Sequence, residues 1–533
     1  MAALRLAGVD ITQAFGGVLV IAVCLGVTNA AVASAADTPG AGQGCTGHTV
    51  IAHHAGGTLL VPAPSGGPVA CGVNTGFAGA ESHIVATPDA VVYMPAVQPS
   101  GLLGTGTAPI PIDEDTQSNA SPAGLAVTSD GGASWSLVKP FGLTWNPTDH
   151  GDFVDPVTNR LFFEDYGPIP LAPELGLAQE GPAHIMWTDT PSDSQSWHHS
   201  AISTVFLPEN PRFTAAKAPA GQPSPTNGYP NVVYFCANTN VGFVSPVILG
   251  RICFRSLDGG DSFAQSAILF TGVIPQHPEC GTSGETYSAI DGYYPQPDPT
   301  DGSLYVMVAC GGHTYLARSI DEAATFPIVR ADGQPVMIPV AAPSTGQVGG
   351  PDLRIDPVGN MYLMWAATSN GETKLLLSVS ADHGLTWSNS LDVTAPGVTV
   401  DQWAMAERGG AVAVAYLGQT NGQTTWDAYI TETKDPLDAQ PVFWSAAVNE
   451  QPILYGSSIQ GSGYLPLPGG ARIPFPPPFG NQMFGNDFIG ATIAPDGSAW
   501  GSFDQDCGPS PDSSGCQTQN DQTRGFAGRL VWP

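Results

Sequence analysis

The sequence predicts an all-β protein, a seven-bladed β-propeller, with a six-bladed ring as the alternative. Three observations predict it: many turn-forming residues, a turn motif that recurs about every sixty residues, and pairs of β-rich segments that alternate with this motif. Glycine and proline supply 65 and 50 of the 533 residues, well above the roughly 12% that the two form together in an average protein. Because both are spread evenly, long helices are excluded.

The charge balance narrows the class of partner. Acids outnumber bases by 46 to 16, which gives a formal net charge of −30. Sixteen basic residues are too few to offset the negative charge of nucleic-acid phosphates. Nucleic acid is therefore excluded as a partner. Hydrophobic residues make up 42% of the chain, enough to bury a large core. An extracellular carbohydrate or a protein remains as the expected partner, and the protein is expected to be a monomer.

The recurring turn motif has the pattern S/T-x-D-x-G-x-S/T-W/F. Three segments fit it: residues 128–135 (TSDGGASW), 256–263 (SLDGGDSF) and 380–387 (SADHGLTW). Three weaker copies fall in phase at residues 319–326 (SIDEAATF), 190–197 (TPSDSQSW) and 436–443 (PLDAQPVF), and successive terminal aromatics lie 56 to 66 residues apart. This regularity indicates an internal structural repeat.

The chemistry of the motif predicts a structural role. Aspartate and Ser/Thr side chains can bond backbone N–H groups a few residues on, and glycine permits the positive φ of a tight turn. Each copy should therefore join two strands of a β-hairpin, with its aromatic packed between sheets. The structural residues are expected to be Asp130, Trp135, Asp258, Phe263, Asp321, Phe326, Asp382 and Trp387.

Between the motifs lie seven pairs of β-rich segments joined by Pro/Gly turns, for example residues 152–163 and 352–365, and in the fourth unit residues 287–291 with 304–310. With the hairpins they make seven four-stranded units, and radial packing of such units is a propeller. The last unit ends after its third strand, at residues 525–532. We expect residues 49–61 to supply the fourth, so that an N-terminal segment of residues 37–80 closes a propeller of residues 81–533.

The first 36 residues are typical of a secretory signal. Arg5 precedes an apolar stretch at residues 14–27, and Ala33-Ser34-Ala35 offers a small-residue cleavage site. The alternative is an uncleaved anchor helix, since residues 14–36 carry no charge. We therefore expect a secreted, extracellular or cell-surface protein that has no membrane span after cleavage.

Eight cysteines remain after that segment, and an even number in an exported chain favours disulfides. Their clustering favours neighbours as partners: Cys45–Cys71, Cys236–Cys253, Cys280–Cys310 and Cys507–Cys516. No CxxC or HxxxH spacing supports a metal site, and no cofactor is expected. A structural Ca²⁺ would suit the excess of acids, but no DxDxDG loop is present.

The repeated turns resemble the Asp-box, or bacterial neuraminidase repeat, propellers of the sialidase-like superfamily, and the resemblance covers about residues 80–533. It is greatest to exported seven-bladed proteins that are often labelled exo-α-sialidase. A sialidase binds its substrate carboxylate through three arginines, the first in an F/Y-R-I-P motif ahead of the first blade. Here no arginine lies between Arg5 and Arg160, and the related ARIP at residues 471–474 precedes the last blade. Authentic exo-α-sialidase activity is therefore disfavoured.

A site is expected on the face where the first strand of each blade begins, because the long connections at residues 95–122, 164–183 and 504–524 should emerge there in neighbouring blades. Several inner strands begin with acids, of which Asp152 and Asp487, followed by Asp401, are the candidate catalytic residues. Two carboxylates about 5–5.5 Å apart suit retaining glycoside cleavage, and about 6.5–9.5 Å suits inversion. The alternative is that each acid caps a turn.

Trp145, Tyr166 and Phe475 are candidate platforms for sugar rings, with packing beneath their own loops as the alternative. Two functions follow. The first is a secreted, sialidase-like propeller that acts on or binds an extracellular glycan, with glycoside hydrolysis as the chemistry if it is an enzyme. The second is a non-catalytic platform for a polysaccharide or a protein. Hydrolysis needs two carboxylates that face one cleft, whereas binding does not.

Overall fold

The structure is a computed structural model. It describes residues 45, 48–79, 82–94, 124–140, 151–172, 177–206, 208–240, 248–268, 295–310, 313–327, 336–341, 351–455, 464–466, 472–474, 489–505 and 523–533. Of the sequence predictions, the signal segment, Asp487, Trp145 and Phe475 lie outside these residues. Within them, no helix is long and apolar enough to cross a membrane.

The described residues form seven small antiparallel sheets, which confirms the predicted seven-bladed β-propeller. Before the first blade come β1 (Ile51–His54), a 3-10 helix (Ala55–Gly57), β2 (Thr58–Leu59) and β3 (Val69–Gly79). Blade one has β4 (His83–Ala86), β5 (Val91–Met94), β6 (Leu125–Thr128) and β7 (Ser136–Val138). Blade two has β8 (Asp152–Val154), β9 (Leu161–Ala172), β10 (Leu177–Thr188) and β11 (His198–Phe206). Blade three has β12 (Pro208–Ala216), β13 (Val232–Asn240), β14 (Ile248–Ser256) and β15 (Ala264–Ile268).

The remaining blades follow the same order. Blade four has β16 (Gln296–Pro297), β17 (Leu304–Cys310), β18 (His313–Ser319) and β19 (Val336–Ala341). Blade five has β20 (Asp352–Ile355), β21 (Met361–Ser369), β22 (Glu372–Ser380) and β23 (Leu391–Asp392). Blade six has β24 (Val398–Arg408), β25 (Ala411–Thr420), β26 (Thr425–Thr433) and β27 (Phe443–Ala447), with β28 (Leu454–Tyr455) beside β26. A hairpin of β29 (Tyr464–Pro466) and β30 (Arg472–Pro474) precedes β31 (Gly490–Ile493), β32 (Ala499–Gln505) and β33 (Thr523–Val531) of blade seven.

The first strands of the blades line the centre of the ring. Each contacts the first strand of the next blade, and β31 contacts β4, so the ring is closed. Because neighbouring strands are antiparallel, the turns between first and second strands and between third and fourth strands share one face, which we call the lower face. The upper face is the opposite one, where every first strand begins.

The second strands show why this sequence forms blades. Each blade is covered on both sides by its neighbours, so these strands are continuous apolar runs rather than alternating ones. All four residues of β5 (VVYM) are buried, as are the first four of β21 (MYLM). Their side chains join neighbouring blades in clusters such as that of Val92, Leu161 and Phe163.

The ring closes through β3. This strand pairs with β33 over the register Val69↔Val531 to Gly79↔Thr523, so the fourth strand of blade seven comes from residues 69–79. The prediction that residues 49–61 supply that strand is wrong. Instead β1 pairs with β27 and adds to the outer edge of blade six. Both segments are β-rich, and only the ring geometry selects between them.

Four turns of the recurring motif have the same pattern of hydrogen bonds, and all four lie on the lower face. In blade one, the hydroxyl of Thr128 donates to Asp130 Oδ1 (2.8 Å) and accepts from the N–H of Gly132 (2.9 Å). Ser134 donates to the same carboxylate from its N–H (2.9 Å) and its hydroxyl (2.6 Å). The turns centred on Asp258, Asp321 and Asp382 repeat these contacts.

Two of the weaker copies differ from the pattern in informative ways. In blade two, Thr188 rather than Thr190 ends the third strand, and its hydroxyl lies 2.6 Å from that of Ser196, so the turn is two residues longer than predicted. In blade four, Ala323 stands where other turns have glycine, and it adopts φ 62°. A glycine is required at Gly260, because its φ is 105° and a Cβ there would lie 2.7 Å from the Phe162 ring.

Two further predictions fail locally. The connection expected at residues 164–183 of blade two is largely a hairpin, in which β9 and β10 continue above the blade as far as Ala172↔Leu177. In blade four, the strand that pairs with Leu304 and Tyr305 is Gln296–Pro297, whereas the segment predicted for it, residues 287–291, lies outside the described residues.

Two of the four predicted disulfides are confirmed. Cys45 bonds to Cys71, which anchors a residue near the N-terminus to β3, and Cys236 bonds to Cys253 across the neighbouring strands β13 and β14. Each of the other two predicted pairs includes cysteines outside the described residues.

Candidate functional site

The sequence-predicted acids lie in different parts of the ring. Asp152 begins β8 at the upper end of blade two. Asp401 lies in blade six where the pairing of β24 with β25 shifts register, and burial raises the pKa of its carboxyl. Tyr166 lies in β9, opposite Ala183. Because Asp487 lies outside the described residues, the structure gives no distance for the predicted Asp152–Asp487 pair.

Asp152 is paired with a histidine that sequence analysis did not select. Its Oδ1 lies 2.6 Å from Nδ1 of His83, the first residue of β4 in blade one. The side chain of His83 is 11% exposed and that of Asp152 is 5% exposed. An ionised Asp152 accepts the proton of Nδ1, which leaves Nε2 as the second ring nitrogen, and Nε2 is buried. Such an arrangement can act as a general acid or base.

The pair arises from the strand geometry. His83 and Asp152 both lie at the upper starts of first strands, in neighbouring blades whose first strands contact each other. The start of the strand is where a side chain can leave the apolar seam between blades. The only sequence signal for His83 is its place at the head of the apolar strand HIVA, and nothing local connects it to a residue 69 positions away.

Other buried carboxyl groups lie near the same two blades. Asp504, at the upper end of β32 in blade seven, accepts a 2.8 Å hydrogen bond from the hydroxyl of Tyr93. Burial and the neighbouring Asp504 raise the pKa of Tyr93 well above its ordinary value, so its hydroxyl remains a donor. Glu164 is also buried, and its N–H donates to the carbonyl of Gly151 (3.0 Å). The carboxylates of Asp152 and Asp504 are thus already held by protein groups.

A second polar group is centred on Arg354, in the first strand of blade five. Nη2 of Arg354 lies 2.8 Å from Oδ2 of Asp352, and the same guanidinium donates to the carbonyl of Met405 in blade six. Burial raises the pKa of the Asp352 carboxyl, while the charges of Arg354 and Arg212 act in the opposite direction. Arg354 thus joins the first strands of blades five and six.

The lower face holds another His–Asp pair of the same chemistry. Nδ1 of His383, in the turn motif of blade five, lies 2.8 Å from Oδ2 of Asp298 in blade four. His383 is 47% exposed, while Asp298 is fully buried. Asp298 also accepts hydrogen bonds from the N–H and hydroxyl of Thr300, so it organises a turn. This pair offers a natural control for the upper one.

The described residues offer no cluster of metal ligands. Among the described residues, no set of three or more His, Cys, Asp or Glu side chains is placed to hold one metal ion.

No protein-family model and no curated protein matches the chain. Among solved structures, a polysaccharide lyase, an ulvan lyase of family PL25, is 10% identical over 86% of this chain and 96% of its own, with a TM-score of 0.39. The NanB sialidase of Streptococcus pneumoniae is 8% identical over 72% of this chain and 68% of its own, with a TM-score of 0.33. A mutant of the Aleuria aurantia lectin AAL, in complex with Fucα1-6GlcNAc, is 9% identical over 67% of this chain and 87% of its own, with a TM-score of 0.31. Likenesses this weak carry no information about which residues act here.

Proposed function

We propose that this protein is an extracellular, sialidase-like propeller that binds a glycan at the upper face and cleaves it with His83 and Asp152 as an acid–base pair. The observation that carries the proposal is the 2.6 Å contact between His83 Nδ1 and Asp152 Oδ1 at the upper starts of two neighbouring first strands. A carboxylate that fixes the orientation and tautomer of an imidazole is the usual support of a histidine that transfers protons.

The site's surroundings support a ligand from the upper side. The β9–β10 hairpin extends above blade two, beyond the point where Asp152 pairs with Phe163. The disulfides Cys45–Cys71 and Cys236–Cys253 fit an oxidising, extracellular environment. A glycan is proposed as the ligand because the repeated turns resemble those of carbohydrate-directed propellers. In the proposed cleavage His83 transfers the proton and Asp152 orients its ring, so the histidine takes the place of one of the two carboxylates that glycosidases commonly use.

The second candidate is a non-catalytic platform for a polysaccharide or a protein. One observation favours it: Asp152 is occupied by His83, and Asp504 is occupied by Tyr93. Carboxylates held in this way stabilise the seams between blades without any chemistry. The two candidates differ in whether His83 is needed for bond cleavage or only for structure.

The experiment compares the mature wild-type chain with His83→Gln, Asp152→Asn and His383→Gln. Each is assayed for glycan-array binding, for release of reducing sugar between pH 4 and 9, and for thermal stability. We expect wild type to bind and release sugar, and His83→Gln to bind while losing roughly 10²-fold or more in rate. His383→Gln is the control, because it alters a His–Asp pair on the opposite face.

Two outcomes would overturn the catalytic proposal. If wild type binds a glycan but releases no sugar, the platform is the better description. If folded His83→Gln releases sugar at the wild-type rate, the pair is structural, and the chemistry belongs to other residues.

A further inference from the structure

The residue before His83 is held from both sides by blade seven. The N–H of Ser82 donates to Oδ2 of Asp504 (3.4 Å), and the carbonyl of Ser82 accepts from the hydroxyl of Ser502 (3.0 Å). Both contacts join residues more than 400 positions apart. Ser82 and Ser502 are fully buried and Asp504 nearly so. The backbone that enters β4 is therefore fixed by two side chains of β32.

The carboxylate in this clamp is itself oriented. The hydroxyl of Tyr93 donates to Asp504 Oδ1 (2.8 Å), while Oδ2 is the atom that faces the N–H of Ser82. Tyr93 is fully buried, so its ring cannot swing away without disturbing the core. A charge-assisted hydrogen bond to a buried carboxylate is among the stronger contacts of its kind. Tyr93 of blade one and Asp504 of blade seven thus hold each other in place.

Ser502 is fixed in the same way. Its hydroxyl accepts from the N–H of Gly490 (2.8 Å) and donates to Ser82, so it bridges the first strands of blades seven and one. The two backbones approach closely here: a Cβ on Gly490 would lie 2.7 Å from the nitrogen of Ile84 and 2.9 Å from Cα of His83. This contact leaves the backbone of His83 little room to move.

We infer that Asp504 and Ser502 are positioning residues for His83, so that docking of blade seven on blade one assembles the His83–Asp152 pair. Ser82 links these two residues to His83, because its two backbone hydrogen bonds fix the direction in which the chain continues into His83. The structural part of this inference is independent of catalysis. Its consequence for turnover depends on the proposed function.

The test reports on His83 directly. In protein labelled with ¹⁵N-histidine, the Nδ1–H proton that is hydrogen-bonded to Asp152 should give a downfield resonance, assigned by its loss in His83→Gln. We expect this resonance to be lost or displaced in Ser502→Ala and in Asp504→Asn. Ser498→Ala is the matched control, because it removes another buried hydroxyl of blade seven, one that donates to Asp496 in the lower turn.

Tyr93→Phe provides a milder variant that removes a single oxygen from the clamp, and we expect a smaller displacement in it. It keeps the inference testable if Ser502→Ala or Asp504→Asn fails to fold. An unchanged resonance in the folded clamp variants would overturn the inference, as would an equal displacement in Ser498→Ala.

Sugar release separates this inference from the proposed function. If wild type is active, Ser502→Ala should lower kcat by roughly 10²-fold with little change in KM, since a shift of about 1 Å in an acid–base group has that effect. If the resonance responds but wild type releases no sugar, the positioning role stands and the catalytic role of His83 fails.

Discussion

Nε2 of His53 lies 2.9 Å from the hydroxyl oxygen of Ser445, although 392 residues separate the two in the sequence. The hydroxyl of Ser445 is in turn 2.6 Å from that of Thr431, which is 3.1 Å from the hydroxyl of Tyr416. His53 is fully buried. A strand from near the N-terminus is thereby bonded into the polar interior of blade six.

This contact predicts a pH-dependent stability. Burial lowers the pKa of His53 below its ordinary value, and the nearby His54 ring acts in the same direction. The hydrogen bond to the His54 carbonyl and the charge of Asp392 oppose this shift but do not cancel it. The folded protein therefore resists protonation at His53, and stability falls as pH drops below about 6.5, where the unfolded imidazole begins to bind a proton. We expect urea denaturation between pH 5 and 8 to show a smaller loss of stability on acidification in His53→Gln than in wild type. Parallel pH profiles would contradict this.

The turn motifs predict a local stability effect. Asp258 receives hydrogen bonds from the hydroxyl of Ser256 and from the N–H and hydroxyl of Ser262. Burial raises the pKa of this carboxyl, but those hydrogen bonds outweigh it and leave the pKa lowered. Asp258→Asn should cost about 1–3 kcal/mol in unfolding free energy at pH 7, because an amide nitrogen cannot accept the bonds. The wild-type advantage should fade as pH falls below about 3.8, through the folded pKa.

The control for that substitution lies in the same turn. Asp261 is exposed, so Asp261→Asn should change the unfolding free energy by less than about 0.5 kcal/mol. Equal effects of the two substitutions in chemical denaturation would show that the network around Asp258 does not stabilise the hairpin.

Arg160 connects blades two and three through its planar guanidinium. It donates two 2.8 Å hydrogen bonds to Asp189 and a third to the carbonyl of Gly259. Its central carbon also lies 3.5 Å from the ring centroid of Trp187 and 4.8 Å from that of Tyr229. Arg160→Lys keeps the charge but loses the fork and the stacking, so we expect a loss of about 1–3 kcal/mol in urea denaturation.

Arg318→Lys is the matched substitution for Arg160→Lys. Arg318 pairs with Asp301, but the two side chains are 44% and 43% exposed, and an exposed ion pair contributes at most about 1 kcal/mol. A larger effect at Arg318 than at Arg160 would mean that burial of the guanidinium between rings does not matter.

Glu407 predicts the opposite pH behaviour to His53. Burial, with a smaller contribution from Asp356, raises the pKa of Glu407 to about 7, against the N–H of Gly410 and the charges of Arg354 and Arg408. Stability from this group is present below about pH 4.5 and is lost as pH rises through 7. Glu407→Gln keeps an acceptor for Gly410, whose N–H lies 2.8 Å from Oε1. It should therefore be more stable than wild type at pH 8, by roughly 1–3 kcal/mol, and not at pH 4. Chemical denaturation of both proteins at pH 4 and pH 8 tests this prediction. An equal difference in unfolding free energy at the two pH values would contradict the raised pKa of Glu407.

The features that depend on short-range contacts could be predicted from the sequence. The turn motifs close through hydrogen bonds that span two to four residues, such as those of Asp130 with Thr128 and Ser134, so their pattern is legible in the sequence. Their spacing and the apolar second strands then predicted the blades. Cys236–Cys253 was predictable because short hairpins bring neighbouring cysteines together.

The contacts between blades could not be predicted from the sequence. His83 meets Asp152 across 69 residues, Asp504 meets Ser82 across 422, and β3 rather than residues 49–61 completes blade seven. No local pattern encodes these pairs. The first depends on how blade two packs beside blade one, and the other two depend on the accumulated rotation of seven blades that brings blade seven back to blade one. A polar side chain at the start of a first strand looks the same in the sequence whether it caps a turn, bridges two blades or faces a ligand.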